Sequence, residues 1–291
     1  MPVAAHVPPR LRGRAFRGSR AVAEGLLTPN QLRGSAWRPL FQDVYVDAAV
    51  EVTHRLRAIA AASLLVPDAV VSGASAAVLW GVELATATDE VELTMPRGSH
   101  GRRHPGLRVR RAHLEDGDVG RRHGVAVTAP VATALRVASV LRGDEAVVAV
   151  DRLVTARVVD LALLRARAAV PRATSARVRE VCALADGLAG SPQETRLRLV
   201  MRRAGLPTPV AQYEVLHDGL FVARVDFAWP EHRLAVEYEG VWHGDPAQVG
   251  KDRRRLNHLR EAGWTVVFVT AADLHDPLRL AAMIRAALAA S

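Results

Sequence analysis

The sequence predicts a mixed α/β protein (α+β in the way its elements segregate), and three observations carry that expectation. From Ser191 to the end, a helical pattern is followed by three strand patterns, a helix, a continuous apolar strand and a last helix. Ahead of it, short alternating segments at residues 90–95 and 107–112 give way to three helical patterns, at 131–141, 144–155 and about 158–169. The chain is 49% hydrophobic, yet no apolar run approaches the roughly 18 residues of a membrane span. At 291 residues it is long enough for two cores. The expected parts are residues 1–50, a basic arm and a small helix–strand module; 51–170, an α/β to helical middle domain; 171–190, a helix and linker; and 191–291, a separate domain.

Composition narrows the function. A net charge of +9 favours a polyanionic partner, and inside a cell nucleic acid is the commonest. Of the 39 lysines and arginines only Lys251 is lysine, a bias that leaves the sign of the charge unchanged. Cys182 is the sole cysteine, which excludes disulfides within the chain and cysteine-based zinc sites. Residues 1–20 carry charges and prolines but no apolar segment of the kind a secretory leader needs, so a cytoplasmic location is expected. DNA is the expected partner, with a second copy of the chain as a further candidate and no membrane.

Residues 1–20 read either as a flexible arm or as an arm that touches DNA. Thr28 as cap, Pro29 in the first turn and Gln31 three residues on predict a short helix. Residues 37–40, Trp-Arg-Pro-Leu, break the pattern, and Val44-Tyr45-Val46 reads as a strand. Helix, turn and strand in that order are what a winged helix-turn-helix leaves in a sequence. A helix over 52–65 ends before Pro67, a short strand is expected at 69–72, and a helix at 74–80 stops at Gly81. The loop between 96 and 106 and the strand after it hold the densest basic region. Arg102, Arg103, Arg110 and Arg111 there are candidate phosphate contacts, or else a solvated edge. A strand at 124–127 precedes the helices. The segments Leu27-Thr28, Gln31-Leu32, Val44-Tyr45-Val46, Ser75-Ala76-Ala77 and Val127-Thr128-Ala129-Pro130 resemble the AbiE-type antitoxin regulators over roughly residues 20–155. That resemblance implies a winged-helix DNA-binding domain ahead of a mixed α/β domain.

In the last hundred residues, Ser191-Pro192-Gln193-Glu194 reads as a capping box opening a helix to about Ala204. Strands follow at 212–217 and 220–228, joined by the tight-turn pair Asp218-Gly219, and a third at 233–239. Period-two alternation puts Arg224 and Asp226 on one face, with Phe221, Ala223, Val225 and Phe227 on the other, and it puts Glu237 and Glu239 on a common face. Three acids brought together on a sheet repel one another unless a cation sits among them. The cluster therefore reads either as a metal site or as the solvated face of an edge hairpin. A helix over 246–262 stops at Gly263, residues 264–270 suit a central strand, and residues 277–290 close the chain as a helix.

This order, with Glu194 in the first helix, Asp226 on the second strand and Glu237-x-Glu239 on the third, resembles the PD-(D/E)XK nuclease superfamily. Gly240-Val241-Trp242-His243-Gly244, Asp252 and Gly263-Trp264-Thr265-Val266 narrow the likeness to the very-short-patch-repair branch. The resemblance implies a restriction-endonuclease-like sheet and Mg²⁺ (or Mn²⁺) held by Asp226, Glu237, Glu239 and Glu194. The metal would polarise a phosphodiester and activate water. Glu239 stands where the superfamily has lysine, so the positive charge must come from elsewhere, and Lys251 is the candidate. His243 is a candidate acid, base or phosphate contact. Arg253, Arg254 and Arg255 read as DNA-backbone contacts or as ordinary helix ion pairs. The functional expectation is a metal-dependent DNA endonuclease, against the alternative of a non-catalytic DNA-binding regulator of antitoxin type.

Overall fold

The structure, a computed structural model, describes residues 7–99, 104–170, 174–240 and 246–291, without the side chains of 246–252. The chain folds as two compact units, and it enters the second one twice. Residues Met1–Val140 and Val158–Thr174 form the first; Leu141–Arg157 and Ser175–Ser291 form the second. The predicted α/β class is what is observed. Most of the excess positive charge lies in the first unit.

The first unit begins with β1 (Phe16–Arg17), α1 (Gly18–Ala23), α2 (Pro29–Leu32), β2 (Trp37–Phe41) and β3 (Val44–Asp47). The Thr28 capping box forms as read: Thr28 Oγ1 accepts from the Gln31 N–H at 3.2 Å, and Gln31 Oε1 accepts from the Thr28 N–H at 2.8 Å. The expected break at Trp37–Leu40 is instead a strand. It survives Pro39 because β2 is an edge in the antiparallel order β1-β3-β2, and its ladder shifts register beside that proline. Next come α3 (His54–Ala60), which runs into a wider π-turn over Ala61–Leu65, then β4 (Val70–Val71), α4 (Gly73–Leu79), β5 (Val91–Met95) and β6 (Leu107–Arg111). After them stand β7 (Val119–Arg122), β8 (Val125–Thr128) and α5 (Pro130–Val140). β7 had no apolar alternation to announce it. It turns back into β8 through His123 and Gly124, at φ 49° and 82°. These strands form a five-stranded sheet, β6-β5-β4-β8-β7. Buried His54 stitches this core: its Nδ1 donates to the Thr86 carbonyl, and its Nε2 meets Ser75 Oγ, each at 2.8 Å.

The chain then passes into the second unit as α6 (Gly143–Thr155), returns to the first as α7 (Leu161–Ala169), and enters the second again with α8 (Ala176–Leu184) and α9 (Pro192–Arg203). The remaining elements are β9 (Val210–His217), β10 (Leu220–Trp229), β11 (Leu234–Tyr238), α10 (Pro246–Glu261), β12 (Thr265–Val269), α11 (Ala271–Leu274) and α12 (Pro277–Ala290). The sheet order is β12-β11-β10-β9; the three earlier strands are antiparallel, and β12 joins β11 in parallel after the α10 crossover. Asp218 and Gly219 carry the left-handed φ values, 50° and 77°, that a tight hairpin needs. β12, read as a central strand from its apolar run, is an edge, and Phe268 on it is exposed. Its residues are apolar because helices flank the sheet, whereas among the described residues no strand pairs with its outer side.

One face of this sheet packs on α9 and α12 through Leu197, Met201, Leu280 and Ile284; the other packs on the α10 side through Leu259, Ala262 and Trp264. α6, read from the sequence as part of the middle segment, belongs to this unit and anchors α9. Asp151 on α6 is 1% exposed and accepts four hydrogen bonds: the N–H groups of Asp186 and Gly187 at 2.8 and 2.9 Å, Thr195 Oγ1 at 2.9 Å and Arg198 Nη2 at 2.7 Å. Removing one partner of such a buried, charge-assisted network leaves the others unpaired. Asp151→Ala should therefore destabilise the second unit by about 3–5 kcal/mol, read as a lower urea midpoint for the transition that Trp229 and Trp264 report.

Candidate functional site

The antiparallel ladder between β10 and β11 runs only from Trp229↔Leu234 to Phe227↔Val236. Past that point the strands stop exchanging backbone hydrogen bonds, and side chains take over. Asp226 Oδ2 accepts the N–H of Tyr238 at 2.8 Å, a bond that a continuing ladder would have given to a carbonyl. β11 stays paired with β12 on its other side through Tyr238↔Val269, so the gap opens toward β10 alone.

The same level of the sheet carries a break in alternation. Val225 packs with Ala223, Ala228 and Ala235 on the α10 side, while Phe227 and Trp229 pack toward α9 and α12. Tyr213 and Ala211, their partners on β9, divide in the same way. Between those two lies Gln212, at φ 52°, a left-handed conformation that few residues other than glycine adopt in a strand. The simple period-two reading, with Ala223, Val225 and Phe227 on one face, is thus corrected at Asp226. A local kink of this kind re-aims a side chain.

Gln212 Nε2 donates to Glu194 Oε2 at 2.9 Å, and the Gly190 N–H donates to the same oxygen at 2.7 Å. Ser191 caps α9 as expected, with its Oγ accepting the Glu194 N–H at 3.2 Å. The second half of the expected box does not form: the Glu194 carboxylate turns to Gly190 and Gln212 rather than to the Ser191 N–H. Glu194 is nevertheless buried, and it sits close enough to act on Asp226.

Glu237 is buried on β11, 8% exposed, and is met end-on by Arg255 of α10. Arg255 Nη1 donates to Glu237 Oε2 at 2.8 Å and Nη2 to Oε1 at 2.7 Å, a two-pronged pair. Nη2 also donates to the Arg224 carbonyl of β10 at 3.0 Å, so one guanidinium spans the opening between the two strands. Asp226 feels the whole arrangement. Burial pushes its carboxyl up to about 6; the Tyr238 N–H opposes this, Glu194 and Glu237 reinforce it, and Arg255 partly offsets it.

The other expected residues fall elsewhere. Glu239 lies beyond the end of β11 and is exposed; its N–H donates to the Val269 carbonyl at 2.7 Å. Arg253 and Arg254 are exposed on α10, whereas Arg255 points into the acid site. His243, Arg102 and Arg103 lie outside the described residues, as does the side chain of Lys251. Arg110 and Arg111 are engaged within the first unit, Arg110 Nε with Thr94 Oγ1 at 3.1 Å and Arg111 Nε with the Ser99 carbonyl at 2.7 Å. Gln212 and the Gly190 N–H were not anticipated; the only local signal was a polar residue at the start of a strand.

Two hard, oxygen-donor carboxylates, Asp226 and Glu237, stand at the opening with Glu194 behind them. Among the described residues no three His, Cys, Asp or Glu side chains form a ready-made ion cage. Asp226 and Glu237 do fit a cation of the Mg²⁺ type, which takes one or two protein carboxylates and keeps its other positions for water and phosphate oxygens. Burial is the main cause of the raised Asp226 carboxyl, and the smaller contribution from Glu194 and Glu237 is what such a cation would offset.

Two uncharacterized proteins of Mycobacterium tuberculosis, MT2308 of strain CDC 1551 / Oshkosh and Rv2248 of strain ATCC 25618 / H37Rv, are each 40% identical to this chain over 165 residues. The match covers 55% of this chain and 61% of theirs, so it spans less than two thirds of either relative. No family model matches the chain, and no solved structure matches it. Among the described residues no helix is long and apolar enough to cross a membrane.

The raised carboxyl makes a prediction about stability. Folded Asp226 holds its proton up to about pH 6, whereas an unfolded aspartate releases it near pH 3.9. Its contribution to stability is present below the unfolded value and is lost as pH rises through 6. Asp226→Asn, which can still accept the Tyr238 N–H, should therefore raise the melting temperature at pH 8 and lose that advantage below about pH 4. Equal gains at both pH values would contradict the assignment.

Proposed function

We propose that the second unit hydrolyses phosphodiester bonds in DNA with a divalent cation, and that the basic first unit binds the DNA. One observation carries the reading: half-buried Asp226 and buried Glu237 come from adjacent strands at an opening in the sheet, buried Glu194 is near enough to act on Asp226, and the Arg255 guanidinium acts on both strand acids. Acids so placed would repel an anionic substrate unless a cation were bound, and a domain kept only for packing has no use for them. Asp226 and Glu237 would hold Mg²⁺ or Mn²⁺, which when bound supplies Lewis acidity to a phosphate oxygen and lowers the pKa of water. Asp226 is itself held in place by the Tyr238 N–H, and Glu237 by Arg255. Glu194, one oxygen of which accepts from the Gly190 N–H and Gln212 Nε2, would act on Asp226 through its charge. Action inside the cytoplasm fits this reading.

The regulator alternative draws support from the closed Glu237–Arg255 pair, which already neutralises one acid without metal. In that reading the first unit binds DNA and the second is a scaffold.

One experiment separates them. Supercoiled plasmid, single-stranded DNA and branched DNA are incubated with the whole chain in Mg²⁺, Mn²⁺ or EDTA, beside Asp226→Ala and Glu237→Ala. The nuclease reading expects metal-dependent cutting that falls by at least about 100-fold in both variants. Salt-sensitive DNA binding without cutting, unchanged by either substitution, would leave the regulator.

A further inference from the structure

The acid site contains a cation of its own, and its placement is unusual. Arg255 binds both oxygens of buried Glu237 and, through the same Nη2, the carbonyl of Arg224 across the end of the β10–β11 ladder. It is also the positive group that acts on Asp226. A guanidinium in this two-pronged geometry takes a lone pair on each oxygen of Glu237, and its positive charge opposes a metal ion at the others. Arginine and a divalent cation are thus competitors for one carboxylate. The Arg255 side chain is only partly covered, at 31% exposure, and it comes from α10, a different element from the strands that carry the acids.

We propose that Arg255 is an exchangeable counter-ion. It holds Glu237 while no divalent cation is bound, gives that carboxylate up when one binds, and turns its guanidinium to the phosphate that the site then accepts. This inference rests on the nuclease reading and names the group that supplies positive charge to the reacting phosphate. In the hydrolysis a water oxygen bonds to phosphorus and one P–O ester bond breaks. The products are a phosphate monoester and a hydroxyl, with one water proton ending on the leaving oxygen. Negative charge gathers on the phosphoryl oxygens during that exchange, and a forked, permanently charged donor is suited to it. Glu239 cannot serve there, being itself an anion exposed beyond β11.

The test is binding of Mn²⁺ alone to the whole, DNA-free chain by titration calorimetry, alongside DNA cleavage, for wild type, Arg255→Gln and Arg255→Lys. Circular dichroism establishes that each variant is folded, and the lysine variant keeps the test open should glutamine unfold the domain. Loss of the competitor is expected to tighten Mn²⁺ binding by at least about fivefold in Arg255→Gln, while cleavage falls on the order of 100-fold or more. Arg255→Lys, which keeps the charge but not the fork, should lie between the two in both measurements. Weaker or unchanged Mn²⁺ binding in Arg255→Gln overturns the exchange, since a purely structural ion pair would misplace Glu237 when lost. Tighter Mn²⁺ binding with undiminished cleavage overturns the role at the phosphate. Tighter Mn²⁺ binding in a protein whose wild type cuts no DNA supports the exchange and overturns the nuclease reading.

Discussion

Glu237 is a charged side chain inside a four-stranded sheet, and Arg255 is what makes that position tolerable. An unpaired carboxylate so buried would cost several kcal/mol. The two-pronged guanidinium offsets the charge from the α10 side, and the Arg224 carbonyl takes one of its remaining donors. The geometry of the site follows from this pair. Because Arg255 stands at the end of the β10–β11 ladder, the strands need not close there, and Asp226 is left to satisfy the Tyr238 N–H with its side chain.

A second constraint works from the opposite edge. Gln212 adopts a left-handed backbone near the start of β9, where a regular strand would be more stable, and its amide reaches Glu194. Strain of this kind persists when the surroundings over-determine it. Here the surroundings are the two cores of the second unit, which take Tyr213 on one side and Ala211 on the other. The kink that accommodates Gln212 lies at the level of Asp226, so α9, β9 and β10 are adjusted together. α6 takes part at a distance: Asp151 binds Thr195 and Arg198, which locks the helix that carries Glu194.

The first unit differs in character. It holds most of the surplus positive charge, yet several of its arginines already have work within the fold. Arg108 pairs with Glu90, Arg136 with Glu92, and Arg122 lies over the ring of Trp80. In the proposed reading, attraction for DNA would therefore come from the summed field of the unit more than from individual side chains, and such a field weakens with salt.

Local chemistry was legible in the sequence. The Thr28 cap, the Asp218-Gly219 turn, the stop at Gly263 and the helix–strand order of the last hundred residues depend on residues within a few positions of one another and formed as read, and of the Ser191 box the cap itself formed. The nearness of Asp226 to Glu237 just past the end of one hairpin ladder was within reach for the same reason, since a short turn sets the register. Tertiary structure decided the rest. Which strand is an edge depends on what packs beside it, so Trp37–Phe41 became a strand despite Pro39, and Thr265–Val269 became an edge despite its apolar run. Alternation failed at Asp226 because two cores pull neighbouring residues to opposite faces. Arg255 lies four residues before buried Leu259, so helical spacing turns it inward and Arg253 and Arg254 outward, but which acid it meets was decided only when α10 packed on the sheet. A sequence holds no record of that packing, because many distant side-chain contacts set it together.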